Sequence, residues 1–337
     1  MMLTRPIRFT RFGTFYILFA LAVGAAAINT GNNLLYLILG ILLGFIVISG
    51  FLSDSALWGI TTAWAPIGSL YAGEKALLEC RMLKGGFPGV AISVESHWEG
   101  LKALYSFVPW IPSKGQASTR IELTPPKRGY LTLESCRYST RFPFGLFQKS
   151  HNERMDERWV VYPHLYLLPN DDLERQGLEA SPKSTHRQGM GTLPLMMRDY
   201  RAGDAMRQIQ WKMSAKRQRL IVKEMEEEAG QGDLFYLDSW PAHFSPLEME
   251  SFISFIASLI FSVYERSRPF GLGIPERLFG PEHSRAHLHR IFEFLALVDP
   301  FQNRGQGHSK LPVEWNSRVI DIAPLWAARG RTYARPS

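Results

Sequence analysis

The chain reads as an α+β multidomain membrane protein, and three observations predict this. Two uncharged apolar runs, 12–28 and 34–52, open the sequence; short alternating segments fill 53–168; a strand, a loop and a long amphipathic helix follow from 233. In order these predict a two-helix transmembrane hairpin over 1–53, an immunoglobulin- or fibronectin-like β-sandwich over 54–169, a linker with a highly charged segment over 170–230, and a small α/β domain over 231–337. A hydrophobic content of 46% with 12% aromatics supports packed cores and excludes a disordered chain.

Each apolar run is long enough to cross a hydrocarbon core of roughly 30 Å. The residues between them, Asn29 to Asn33, are turn formers without charge, so the hairpin is tight. Gly24, Gly40 and Gly44 would let the helices approach closely, the last two at small-x-x-x-small spacing. Arg5, Arg8 and Arg11 precede the first run, which predicts an N-terminus and soluble domains on the cytoplasmic side of the membrane. A cleaved signal peptide is the rival reading of the first run and leads to the same compartment. In that compartment the only cysteines, Cys80 and Cys136, stay reduced and act as small buried hydrophobes.

Segments 75–83, 89–98, 118–125 and 130–139 alternate with period two, separated by Gly and Pro turns, and predict antiparallel strands. The polar stretch 170–193 reads as a mobile linker. Beyond it, Leu220–Val222 and Asp233–Asp238 read as strands, 246–265 as a helix covering a sheet, 270–274 as a strand, 282–298 as a helix and 318–322 as a last strand. The uncharged part of the 246–265 helix is too short to predict a third span.

Segment 198–223 holds eight Lys or Arg against two Asp, six of the net charge of +7. In it Arg198, Tyr200, Gly203, Asp204, Arg207, Ile209, Trp211 and Lys212 follow the spacing R-x-Y-x-x-G-D-x-x-R-x-I-x-W-K. This resembles the signature of the domain of unknown function 58 family, and NTGNNLLYL (29–37), Pro143–Phe147 after Arg128-Gly129, and Val160–Pro163 resemble the same family. The resemblance implies a membrane-anchored protein with a von Willebrand A-like domain, here reduced, that works with a MoxR-type AAA+ ATPase. Arg198, Tyr200, Arg201, Gly203, Asp204, Arg207, Trp211 and Lys212 then form either a docking loop for that partner or a folding element. In the second case Arg201, Asp204 and Arg207 make an internal ion network, Asp204 caps a helix starting at Ala205, and Trp211 fills a core.

A von Willebrand A-like domain binds Mg²⁺ through D-x-S-x-S, because a hard cation needs carboxylate and hydroxyl oxygens from one loop. Here Asp238 is followed by Trp240 and Ala242 at the hydroxyl positions, so the motif is broken and no cofactor is expected, Asp238 remaining a weak metal candidate. His283 and His287 at i, i+4, with His289 nearby, read as a solvated helix face rather than a zinc site. No phosphate loop, nucleophile elbow or dinucleotide fingerprint is present. Four carboxylates at 224–228 beside the basic run count against nucleic acid. The expectation is a non-enzymatic membrane adaptor or scaffold; the alternatives are a metal-dependent ligand-binding domain and a binder of anionic lipid or nucleic acid through 198–223.

Overall fold

A computed structural model describes residues 7–168, 194–199, 214–216, 218–225, 232–301 and 318–333. The chain divides into two compact units, Met1–His164 and Leu165–Ser337.

The first unit joins the hairpin to two β-sheets. Helices α1 (Arg11–Thr30) and α2 (Asn33–Leu57) are both long and apolar enough to cross a membrane. The predicted five-residue link contracts to Gly31 and Asn32: the Gly31 N–H donates to Ala27 O at 2.9 Å, and the Asn32 side chain accepts from the Leu34 N–H at 2.9 Å. Gly13, Ala20 and Ala27 are the buried residues of α1, spaced two turns apart, so small side chains line its inner face. Gly24 meets Leu39, whereas Gly40 and Gly44 face open space and do not serve the close approach expected of them.

Strands β1 (Ile7–Phe9), β2 (Ile60–Pro66), β3 (Leu70–Tyr71), β4 (Ala76–Lys84), β5 (Gly89–Trp98), β6 (Leu104–Ile111), β7 (Gln116–Leu123), β8 (Gly129–Thr140) and β9 (Phe147–Tyr162) follow. They form one sheet in the order β1-β9-β8-β5-β6, with β3 parallel to β9, and a second in the order β2-β4-β7. Inward positions of both sheets share one core containing Leu78, Cys80, Met82, Ile92, Val94, Leu133 and Cys136. Trp64 and Trp98 meet edge to face in it, 5.8 Å apart. Both cysteines are free and buried, and burial pushes the Cys136 thiol up to about 12.

The inward series of β4 is 78, 80, 82, 84, and its last member is a lysine. Lys84 Nζ donates to Ser55 O at 2.9 Å and to Trp58 O, while Lys149 Nζ on β9 donates to Gly50 O at 2.8 Å and lies 3.5 Å from Asp54. Lys84 therefore satisfies carbonyls at the C-terminal end of α2, where the helix dipole favours positive charge, and Lys149 binds about two turns further in, at Gly50 and the Asp54 carboxylate. On α2 the buried residues Ser49, Ser53, Ala56 and Leu57 make one stripe against the sheets, and the Ser53 hydroxyl donates to Phe142 O.

The β8–β9 turn closes the joint from the other side. Thr10 caps α1, its hydroxyl accepting from the Gly13 N–H at 2.9 Å and donating to Gly145 O, and its N–H donates to Leu146 O at 3.2 Å. Gly145 holds a φ of 68° at the turn, a conformation that favours glycine. A Cβ on Gly13 would lie 1.9 Å from Leu146 O, so only glycine lets the turn reach α1.

In the second unit, β10 (Pro194–Asp199) and β11 (Ile221–Met225) pair antiparallel. Then come β12 (Asp233–Tyr236), α3 (Pro246–Glu265), β13 (Phe270–Ile274), β14 (Arg277–Glu282), α4 (Arg285–Leu297), β15 (Arg318–Asp321) and α5 (Ile322–Tyr333). The sheet order is β14-β13-β12-β15, with β12 parallel to both β13 and β15 and β14 antiparallel at the edge. Helix α3 starts at a capping box, Ser245 with Glu248, and Pro246 occupies its first turn. By length and composition α3 also qualifies as a span, contrary to the expectation from its uncharged run; most of it is buried inside its own unit, and that burial separates it from α1 and α2.

Gly13→Ala is expected to lower the stability of the detergent-solubilised protein by roughly 1–3 kcal/mol through overpacking. Gly24→Ala, whose Cβ would meet only the Leu39 side chain at 3.6 Å, is expected to be neutral or to gain up to about 1 kcal/mol of helix propensity. Thermal unfolding of the two variants checks this; equal melting temperatures would show that the turn does not dock on α1.

Candidate functional site

The carboxyl ends of parallel strands are where open α/β sheets bind ligands, at the point where the strand order reverses. From β12 the chain crosses through α3 to β13 on one side, and it later returns to β15 on the other. The reversal therefore lies at the carboxyl ends of β12 and β15. Strands β12 and β13 are buried almost throughout, as apolar parallel strands are, which places chemistry in the loops beyond them.

Asp238, two residues past β12, is exposed, and its Oδ1 accepts the Tyr236 hydroxyl at 3.3 Å. The Tyr236 phenol is pushed up from its ordinary value by burial first, then by the carboxylates of Asp238 and Asp321. Asp321 ends β15, and its Oδ1 accepts the Ala323 N–H at 3.0 Å, capping the first turn of α5. Trp240 is buried, and its Nε1–H donates to Glu276 Oε1 at 2.6 Å in the β13–β14 turn. The indole thus holds the loop where a D-x-S-x-S motif would present a hydroxyl. Among the described residues no group of three or more His, Cys, Asp or Glu converges on a metal position.

Next to this edge lies a cavity of about 410 Å³ lined by Pro241, His243, Phe244, Glu248, Phe252 and Trp326. Its aromatic wall packs mainly edge to face: Phe244 and Phe252 are 5.6 Å apart, and Trp326 lies 5.3 Å from Phe252 and, tilted, 6.1 Å from Phe244. Glu248 is committed to the cap of α3, and its hydrogen bonds to Ser245 hold its carboxyl below the usual carboxylate value. The chemistry on offer is burial of an apolar or aromatic group, with His243 and Glu248 supplying polar contacts at the rim.

At the opposite end of β12, Asp233 is fully buried and paired with Arg268, Nη2 lying 3.0 Å from Oδ2. Burial still raises its carboxyl, against the pull of Arg268 and Arg318. This pair is an internal brace at the amino end of the sheet.

Of the residues singled out in the signature, Arg198 lies on β10, its backbone opposite Val222. Tyr200, Arg201, Gly203, Asp204, Arg207, Trp211 and Lys212, and the linker at 170–193, lie outside the described residues. Asp321, Phe244 and Trp326 were not singled out from sequence; the one available signal was a carboxylate closing the last apolar strand.

The histidines depart from expectation. His283 precedes the cap Ser284 and so is not on α4; it stacks on Tyr264 at 5.4 Å. His287 is in the core, with Nε2–H donating to Phe270 O at 3.1 Å and Nδ1 accepting from Arg290 Nη2 at 3.1 Å. His283 is exposed and His289, beside Arg285, is half-buried, so of the three only His287 leaves the surface. Burial holds the His287 imidazole below its ordinary value. As pH falls through about 6.5 the unfolded chain takes up this proton first, so stability is lost from there downward until the folded-state pKa is passed. Between about pH 6.5 and 5, wild type is therefore expected to lose melting temperature more steeply than His287→Gln, which keeps a donor toward Phe270 O. Parallel slopes would assign the acid sensitivity to other groups.

Residues 196–313 match the family described as Protein of unknown function DUF58. A Bacillus subtilis (strain 168) protein described as "Uncharacterized protein YeaD" is 26% identical over 206 residues, covering 59% of this chain and 50% of the relative. The chain thus spans about half the length of the curated relative it matches. Solved structures of the CARDB domain of PF1109 from Pyrococcus furiosus, one by NMR and one a crystal structure with di-metal ions, align at 11% identity with a TM-score of 0.19. They cover 28% of this chain and 93% and 85% of those chains, a likeness too weak to bear on fold or ligand here. The match takes in the charged signature from the second half of β10 onward and continues through β12, α3, β13, β14 and α4, so the similarity to the DUF58 family holds over residues 196–313 of this chain.

Proposed function

We propose that the chain is a non-enzymatic two-span membrane adaptor or scaffold that works with a MoxR-type AAA+ ATPase in the assembly or maturation of other proteins. In this reading the two sheets of the first unit are an immunoglobulin- or fibronectin-like sandwich, and the β14-β13-β12-β15 sheet with its helices is a reduced von Willebrand A-like domain. The N-terminus and both folded units lie on the cytoplasmic side of a bacterial inner membrane. Arg5, Arg8 and Arg11 before α1, and the uncharged Gly31-Asn32 link, support that orientation.

The observation that carries the adaptor reading is the aromatic crevice at the carboxyl edge of the parallel sheet. A site walled by Phe244, Phe252 and Trp326 suits a protein segment anchored by an apolar side chain. The partner itself comes from the family resemblance. The basic signature supplies a second contact suited to an acidic face.

Tagged full-length protein extracted in detergent with ATP is expected to bring down an AAA+ ATPase identifiable by mass spectrometry. Recovery should fall with His243→Asp, an exposed change at the crevice rim, and with Arg207→Ala in the signature, while melting stays within a few degrees of wild type. Recovery of the ATPase at equal yield from all three proteins would remove both docking positions, and its absence from wild type would end the adaptor reading. Mg²⁺ is expected to leave the melting temperature unchanged, because Trp240 holds the position a ligand would need. A Mg²⁺-dependent rise that disappears in Asp238→Ala would replace the adaptor with a metal-dependent binding domain.

A further inference from the structure

A second cavity, of about 470 Å³, opens in the first unit where the β8–β9 turn meets the hairpin. Phe12, Tyr16, Leu42, Phe45, Phe144 and Leu146 line it. It falls within the size range of small-ligand sites, roughly 300–1,000 Å³. The Tyr16 hydroxyl is turned to Leu42 O at 3.2 Å, so the lining is apolar.

The depth of this groove says what covers it. Phe144 packs edge to face on Phe45 with ring centroids 5.0 Å apart. Phe45 stands nine residues before Asp54, the first charge on α2, which is about 13 Å along the helix axis. If the apolar run of α2 lies in a bilayer, the tip of the turn lies in it too, below the headgroup level. Phe51 and Phe87 repeat the arrangement at 6.2 Å, nearer the charged end of α2. An aqueous occupant is excluded at that depth, and a protein partner would have to enter from within the bilayer. Exposed cations lie around the base of the same turn: Arg11 starts α1, Arg8 pairs across from Gln148, and Arg141 donates to the Gln148 side chain at 3.2 Å. Their chemistry suits a phosphate at the membrane surface, each basic side chain there being worth about 1 kcal/mol toward anionic lipid.

We propose that this groove seats an acyl chain of an anionic phospholipid, with the β8–β9 turn inserted as a wedge into the leaflet and Arg8, Arg11 and Arg141 facing the headgroup. The wedge holds the sheets against the membrane plane, since the turn is tied to α1 through Thr10 and to α2 through Ser53. The inference rests on the hairpin spanning a membrane as proposed above, and its test separates the two.

Full-length protein in nanodiscs is illuminated in the presence of phosphatidylglycerol carrying a diazirine on its acyl chain, and adducts are mapped by mass spectrometry. Adducts are expected on 142–146 as well as on the exposed helix residues Phe15, Phe19 and Val47, and Leu42→Trp, which fills the groove, should lose the first group and keep the second. Adducts on the helices with none on the turn would overturn the groove while leaving the spanning hairpin standing. None on either would remove the hairpin itself from the membrane. Turn adducts that persist in Leu42→Trp would show a surface contact instead of a seated chain, and equal labelling by diazirine phosphatidylcholine would overturn the headgroup assignment. Should Leu42→Trp fail to fold, Leu42→Phe, a smaller change that also fills the groove, takes its place in the same comparison.

Discussion

The C-terminal part of α2 is held by two lysines from the sheets, and the first unit depends on that contact. Lys84 reaches Ser55 O and Trp58 O, and Lys149 reaches Gly50 O and Asp54. A helix end leaves carbonyls unsatisfied and carries about half a negative charge. A cation there contributes up to about 2 kcal/mol in a partly buried geometry. The desolvation of both ammonium groups is offset only while those carbonyls stay in place, so the contact is all or nothing. Together with Thr10 and Ser53 on the β8–β9 turn it fixes the sheets to an apolar hairpin that would otherwise be joined to them by chain connectivity alone.

That rigid joint gives the turn its depth. Because Ser53 and Thr10 hold the turn at both ends, Phe144 is carried past the charged end of α2 onto Phe45. An apolar side chain 43% exposed on a loop is unremarked in water, yet here it continues the apolar surface of the hairpin. The second unit solves its burial problem differently. Helix α3 is apolar nearly all round, and the sheet and neighbouring helices enclose it. Its amino end, fixed by the Ser245–Glu248 box, then sets Glu248 and Phe252 at the crevice where the strand order reverses.

Much of the fold was legible because it rests on period. GVAISVESHW is β5 from Gly89 to Trp98, and α3 and β13 run over the residues their patterns mark. Strand β9 was hidden: its middle reads Gln-Lys-Ser-His-Asn-Glu-Arg-Met-Asp-Glu-Arg, a polar stretch that forms a strand because β8 pairs along it, while β1 and β3 pair with its two ends on the other edge. Strand β14 and helix α5 were hidden too, being short and weakly patterned. Of the candidate site, Asp238 could be found from its place after an apolar strand. Asp321 offered the same signal, a carboxylate closing an apolar strand, but its place beside Asp238 and that of Trp326 could not be read, because parallel pairing of β15 with β12 joins residues far apart in the chain.

Sequence alone determined the hairpin, the alternating strands, the α/β alternation and the broken cation motif, since each is a property of neighbouring residues and their spacing. Tertiary structure decided what covers each face. It put α3 inside a domain and left α1 and α2 bare, though all three are long and apolar enough to span. It turned Lys84 from the end of a core-facing strand series into a helix cap, and His287 from an exposed histidine into a buried one. Periodicity encodes which side of an element is apolar or charged; the partner that meets that side is set by long-range packing, which no local pattern contains.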